Sequence, residues 1–331
     1  MKKLLNDPQA YVEEMLEGLV LAHPQYYERT GDGRVIKRPD GPIPGKVGVV
    51  SGGGSGHLPV FTGYVGKGLL DACAIGEVFS SPSVDQMADA MRAANGGAGV
   101  LRLYGNYGGD RMNFDMAGDI LDMEEVTSTT VLLTDDVASA PAAEAEKRRG
   151  VAGMVYAYKL AGAAAEAGAD LAEVTRVAQK AADAVRSIGA ALTACIVPAA
   201  GRPTFSIAED EMEMGMGIHG EPGVWSGKLR PADAVANEML DHLLADMPIA
   251  RGDRVSVLVN SLGATPHEEL FILYRMVAAR LTGLGATIVM PLVGRYATSM
   301  EMAGVSFTLC RLDGELERLL HAPADCAFWR V

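Results

Sequence analysis

Apolar and polar positions recur along this chain with two different periods, and the changes from one to the other outline a fold. Residues 8–22 space Val12, Met15, Leu16, Leu19 and Val20 between polar neighbours, the recurrence of an amphipathic helix. Residues 26–45 are rich in Gly, Pro and charge and read as loop or edge hairpin. Three short runs then stop in polar or glycine-rich segments: KVGVV (46–50) before SGGGSGH, residues 100–104 before GNYGGD, and TTVLLT (129–134) before Asp135 and Asp136. Helical stretches at 85–94 and 113–123 separate them, so the series predicts parallel βα units. Ligands in such sheets sit beyond the carboxyl ends of the strands.

From 151 to 186 an alanine-rich sequence interrupted at 168–170 predicts two helices packed through small side chains. A second series begins near Ile188 and includes the strands VSVLVN (255–260), TIVMPL (287–292) and VSFTLC (305–310). After the first of these, Thr265 as N-cap, Pro266 at the first helical position and Glu268 closing a capping box predict a helix start. The expected fold is α/β with two domains, residues 1–186 and 187–331. Each is a sheet flanked by helices, the first doubly wound and largely parallel.

A length of 331 residues suffices for two domains that each bury a core. The formal net charge of −13 excludes a surface that binds nucleic acid or anionic membrane indiscriminately. Cysteines 73, 195, 310 and 326 are scattered, with no CxxC pair, and read as buried thiols in a reducing compartment. Asn6, Asp7 and Pro8 end the first apolar run too early for a signal peptide, and residues 188–200 are too short to span a bilayer. The expected location is cytoplasmic.

Three segments carry candidate chemistry. SGGGSGHLP has four glycines within five residues but neither a GK[ST] ending nor GxGxxG spacing. A phosphate-cradling loop and a strained turn with His57 at a helix start both stay open. In GNYGGDRMNF, spacing favours Asp110 as a helix cap; the alternative is a general base for a hydroxyl attacking phosphorus. In EMEMGMGIHG (211–220), strand alternation puts Met212, Met214, Met216 and Ile218 on a core face. Glu211, Glu213, Gly215, Gly217 and His219 fall on the other face, leaving space beside the imidazole. A ligand-facing His219 serves as metal ligand, acid, base or nucleophile. Without HxH or HxxxH spacing no metal site is expected. His23, His242, His267 and His321 read as structural or solvated.

Together SGGGSGHLP, NYGGD and GMGIHGEPG, with RRGVAG (148–153), TACIVPAAG (193–201) and NSLGATP (260–266), resemble the K subunit family of dihydroxyacetone kinases over essentially the whole chain. The resemblance implies a homodimeric phosphotransferase subunit that binds a short ketose. It implies that His219 adds through a ring nitrogen to the ketose carbonyl as a hemiaminal, that His57 helps as acid or base, and that Asp110 takes the proton of the hydroxyl to be phosphorylated. Gly54, Ser55 and Gly56 would line the substrate. No cofactor is implied for this chain, because a separate L subunit would carry ADP or ATP with magnesium. An imidazole adds to a ketone and not to an alcohol, so glycerol lacks the group to be held.

Three positions depart from the family. Gly105 stands where lysine is common, Gly108 where threonine is common, and Leu58 where glutamate commonly follows the GGGSGH histidine. Loss of the lysine would remove a donor from the pocket region and the two glycines would enlarge it, which points to a longer ketose such as erythrulose. A non-catalytic ketose sensor or coregulator is the competing class. The intact set His57, Asp110 and His219 favours catalysis, since a sensor needs no base.

Overall fold

The computed structural model describes residues 2–331. Helix α1 (Tyr11–Ala22) buries Val12, Leu16 and Leu19, the periodic positions of its sequence. The Gly- and charge-rich stretch after it contains an antiparallel hairpin of β1 (Glu28–Thr30) and β2 (Val35–Lys37). Then come β3 (Gly48–Ser55), β4 (Ala72–Val78), α2 (Val84–Ala94), β5 (Val100–Gly105), α3 (Gly108–Met123) and β6 (Ser128–Leu133). They build a sheet in the order β1-β2-β4-β3-β5-β6. Its four inner and far-side strands β4, β3, β5 and β6 are parallel, and the hairpin adds an antiparallel edge through β2.

Helices α4 (Met154–Glu166) and α5 (Leu171–Ala184) follow, with the Asp170 carboxylate accepting from the Glu173 N–H at the start of α5. The second sheet starts with β7 (Val185–Ala191), then β8 (Glu211–Met214) and β9 (Trp225–Lys228). It continues through α6 (Ala232–Asp246), β10 (Arg254–Ser261), α7 (His267–Gly283), β11 (Thr287–Ile288), β12 (Leu292–Gly294), β13 (Gly304–Leu312) and α8 (Gly314–Leu320). The order is β11-β10-β13-β7-β8-β9, with β12 also on β10. Only β11 and β12 run parallel to β10; the other pairs are antiparallel.

The two sheets share the α4 layer. Every residue of α4 from Met154 to Ala165 is buried, as expected of a helix apolar all round. Tyr158 places its hydroxyl 2.8 Å from Ser51 Oγ on β3, while Tyr156, two residues earlier and so on the opposite side, reaches Ser256 Oγ on β10 at 2.8 Å. One continuous core accordingly includes Val49 and Leu101 of the first sheet and Leu258 and Cys310 of the second. Buried Lys159, between the tyrosines and the end of the helix, gives its ammonium to the Leu319 carbonyl of α8 at 2.6 Å, and burial pulls it down to about 8.

Several local expectations change on folding. The glycines of SGGGSGH lie inside β3, which is buried along its full length. A Cβ at Gly53 would sit 2.2 Å from the Phe61 ring, and one at Gly54 would sit 2.6 Å from the Ser80 nitrogen. These glycines admit neighbouring chain, so the run is not a phosphate cradle. Strand β8 stops at Met214 because Gly215 turns the backbone to φ +83°. TIVMPL is split into β11 and β12 around Met290, whose φ is +45°. Helix α7 has Pro266 as N-cap without a side-chain cap. The Thr265 hydroxyl is used elsewhere, donating to the Gly304 carbonyl (2.8 Å) and accepting from the Gly304 N–H (2.9 Å). All four cysteines are free and buried, and among the described residues no helix is long and apolar enough to cross a membrane.

Gly162 of α4 tests the shared layer. Alanine there would improve helix propensity by about 1 kcal/mol, yet its Cβ would meet the Leu69 backbone at 2.5 Å. We expect Gly162→Ala to be less stable than the wild type by about 1–3 kcal/mol in urea unfolding; equal or greater stability would refute the close approach.

Candidate functional site

The site lies where the ends of β3 and β5 in the first sheet meet loops of the second. Beyond β3, Gly56 takes φ +103° and turns the chain so that His57 is buried, at 1% exposure. The loop after β12 fixes this segment. Thr298 accepts from His57 Nδ1 through its carbonyl (2.7 Å) and donates its hydroxyl to the Leu58 carbonyl (3.0 Å), while the Met300 N–H donates to the Gly56 carbonyl (2.8 Å). A carbonyl only accepts, so Nδ1 of His57 carries the proton and Nε2 presents a lone pair. That Nε2 has no partner. Burial first, and then neighbouring His219, push His57 down to about 3, against the opposing pull of the Thr298 carbonyl. The ring is neutral.

His219 comes from the turn after β8. Its ring centroid is 4.8 Å from that of His57 and nearly perpendicular to it, 5.2 Å from Phe79 and 4.9 Å from Tyr107. The sequence separates the two histidines by more than 160 positions, and the fold brings them edge to face. His219 Nδ1 donates to Glu221 Oε1 at 2.8 Å, and the His219 backbone N–H donates to Oε2 of the same carboxylate at 3.0 Å. Burial raises Glu221, but the His219 hydrogen bond and charge, with backbone N–H groups, outweigh it and hold the carboxyl at about 2. Glu221 therefore stays ionised and accepts the Nδ1 hydrogen bond, which leaves Nε2 as the ring nitrogen not engaged by the carboxylate.

The space expected beside His219 is filled. A Cβ on Gly217 would lie 2.2 Å from Glu221 Oε2 and 2.6 Å from Arg149 Nη1, and one on Gly215 would meet Ala138 at 2.8 Å. The two glycines thus clear room for the carboxylate and guanidinium that support the histidine. Arg149, from RRGVAG, pairs with Asp136 at 2.8 Å and approaches Glu221 at 3.8 Å. Its neighbour Arg148 is buried against Asp246.

Asp110 sits in the first turn of α3, which begins five residues before its expected start. It is not the cap: the N-cap is Tyr107, with no side-chain cap bond, and Asp110 Oδ1 is buried without a partner. Burial raises its carboxyl to about 6, opposed by a Ser81 hydrogen bond and by His219. Ser55 Oγ and Tyr107 Oη are likewise buried without partners, and burial pushes the Tyr107 hydroxyl far upward, keeping it protonated. Acceptors and donors are thus both present for a small polar guest. Gly54 and Gly56 face Phe79, since a Cβ on either would press against it at 2.8 Å.

Gly105 does not enlarge anything. A Cβ there would meet the Gly150 carbonyl at 3.0 Å, Tyr107 at 3.2 Å and Met154 at 3.3 Å; only Gly108 faces open space. Phe79, Tyr107, Arg149 and Glu221 were missed as site residues. Phe79 stacks on His57 with centroids 4.9 Å apart and holds a left-handed φ of +58°, strain of the kind that collects at functional sites. Glu221 had a legible signal, a carboxylate two residues beyond the histidine in GIHGEPG. No group of three or more His, Cys, Asp or Glu side chains placed to hold a metal occurs among the described residues.

With this geometry in place, comparison with known proteins is informative. The family model of the Dak1 domain matches residues 17–328. The dihydroxyacetone-binding subunit DhaK of PTS-dependent dihydroxyacetone kinase 1 from Listeria innocua is 44% identical over 330 residues, covering 99% of this chain and 100% of that protein. D-erythrulose kinase from Mycolicibacterium smegmatis is 46% identical over 325 residues, covering 98% of this chain but 56% of its own length. The crystal structure of the dihydroxyacetone kinase of C. freundii in its native form superimposes with a TM-score of 0.88 at 33% identity, covering 99% of this chain and 60% of that one. Motifs, fold and full-length identity agree, and the chain belongs to the Dak1 domain family.

Proposed function

We propose that this chain is the ketose-binding subunit of a dihydroxyacetone-type kinase, a phosphotransferase that acts with a separate nucleotide-carrying L subunit. The observation that carries the reading is the pairing of two imidazoles 4.8 Å apart, each with Nδ1 committed to a fixed acceptor. His219 Nε2 adds to the ketose carbonyl carbon and the carbonyl π pair moves to oxygen. The adduct's Nδ1 gives up its proton by way of Glu221, that same proton reaches the oxygen through solvent, and a neutral hemiaminal results. His57, neutral with its lone pair at Nε2, acts first as acceptor for a hydroxyl of this adduct rather than as an acid. Capture holds the terminal hydroxyl for in-line attack. Asp110 takes that hydroxyl's proton as its oxygen attacks the phosphoryl group presented by the partner. Ser55 and Tyr107 donate to substrate oxygens.

Nucleotide and magnesium belong to the partner in this reading, consistent with a glycine run in β3 that is packed against Phe61 and Phe79. The working form is a homodimer, with the domain boundary near residue 186. The 46% identity to a D-erythrulose kinase supports a second reading in which the ketose has four carbons. The open space beside Gly108 is compatible with it; the closed surroundings of Gly105 remove the other argument for it.

The reading is tested by assaying the chain with an L-type partner on dihydroxyacetone, erythrulose and glycerol. Ketoses should be phosphorylated and glycerol should be the poorest substrate. His219→Ala should lose the preference for ketose over glycerol and at least about 100-fold in ketose turnover, the scale of one misplaced reacting group. Retained selectivity would exclude the covalent role.

Asp110 gives a prediction in pH. A base must be ionised, so kcat/KM should rise through about pH 6, and Asp110→Asn should abolish turnover at every pH. Stability should move oppositely. Because the folded carboxyl binds its proton more tightly than the unfolded one, stability is lost as pH rises through about 6. Asp110→Asn should therefore exceed the wild type in urea-unfolding stability at neutral pH. The difference should vanish below about pH 4, where the unfolded aspartate is protonated too. An unchanged difference across that range would refute the burial of an unpaired carboxylate.

A further inference from the structure

A cavity of about 410 Å³ lies on the far side of the segment that carries His57, and neither His57, Phe79, Tyr107, Asp110 nor His219 lines it. Its wall towards the ketose site is Ser55, Gly56 and Thr298, the same backbone that fixes the His57 tautomer. Apolar surface comes from Leu58, Val60, Ile75 and Met300. The charged groups in the lining are Lys3, Arg295 and Glu301. Lys3 is paired with Glu301, so Arg295, exposed at the rim, is the unbalanced positive charge. Ser55, 4% exposed, borders the cavity, while its hydroxyl is assigned to the ketose. Tyr11, also in the lining, remains a proton donor, since burial and then Glu301 raise its hydroxyl.

Leu58 adds apolar surface where a carboxylate would cancel the Arg295 charge. The cavity thus combines an apolar body, one net positive charge and a hydroxyl donor in Tyr11. Its volume lies within the range of small-molecule sites, about 300–1,000 Å³.

We propose that this cavity is a second ligand site, separate from the ketose site, for a small organic anion with a short apolar body and a carboxylate or phosphate monoester head directed at Arg295. Lys3 and Glu301 close one side of it as a paired latch. The ligand sits across one stretch of backbone from His57, so its binding stiffens the contact between residues 56–58 and 298–300 without touching the reacting groups. The proposal does not depend on the kinase reading.

Isothermal titration calorimetry on the purified full chain tests it, with propyl phosphate and butyrate as probes and propanol as the neutral control. One anion should bind per chain and propanol should not. The preferred probe tells phosphate from carboxylate. Arg295→Ala and Leu58→Glu should each weaken binding by at least about tenfold, the effect of 1.4 kcal/mol. The second variant keeps Arg295 and changes only the charge facing it, and an unchanged urea-unfolding midpoint in both variants guards against misfolding as the cause. His219→Ala should bind the anion as the wild type does, and saturating dihydroxyacetone should not displace it. Absence of anion binding, equal binding of propanol, unchanged affinity in Arg295→Ala, or competition by the ketose would overturn the proposal.

Discussion

Helix α4 has no solvent side between Met154 and Ala165, and the hydroxyls of Tyr158 and Tyr156 bond to β3 and β10 respectively. A helix so placed must find apolar neighbours on every face, which forces one sheet onto each side of it. The position of β3 relative to the second sheet follows, and with it the approach of His57 to Thr298. A buried hydroxyl left without its partner costs about 1–3 kcal/mol. The two tyrosine contacts therefore specify the spacing of the sheets as well as contributing to stability.

The site gathers unpartnered polar atoms in one place. Ser55, His57, Tyr107 and Asp110 each keep a buried polar atom without a partner, while the others among the described residues, on Arg102, Thr130 and Arg230, belong to none of the three site segments; buried Asn260, Ser187 and Thr265 are engaged. Desolvation lifts Asp110 and lowers His57, so one environment readies a carboxylate to accept a proton and keeps an imidazole neutral. Such groups are held in place by the packing around them, including a phenylalanine in a left-handed backbone conformation, at a cost in stability that function requires.

The parallel units, the paired helices around residues 168–170 and the four buried thiols were legible because each rests on local periodicity or spacing. The extent of β3 was not. Its glycines look like a loop in one dimension and prove to be packing positions against Phe61 and residues 79–80, which are distant enough in sequence to leave no local trace. The Thr265 cap failed for a similar reason: the hydroxyl had a better use holding Gly304. Strand alternation correctly buried Met212, Met214, Met216 and Ile218. It went wrong at Gly215, where the chain turns, and so it took room for Glu221 and Arg149 to be room for a ligand. The resemblance singled out His57, Asp110 and His219; their mutual approach is a property of the tertiary fold alone.

Within GIHGEPG, the imidazole and the carboxylate that orients it are two residues apart and joined twice, through ring and backbone N–H. The orientation of the His219 ring is consequently fixed inside one tight turn, whereas its aim at His57 and Asp110 depends on how two sheets are stacked. Shifts between the halves of the molecule would change reach and leave the hydrogen bonds to Glu221 alone. Ring orientation and spatial alignment are thereby uncoupled, and the fold can drift in one without disturbing the other.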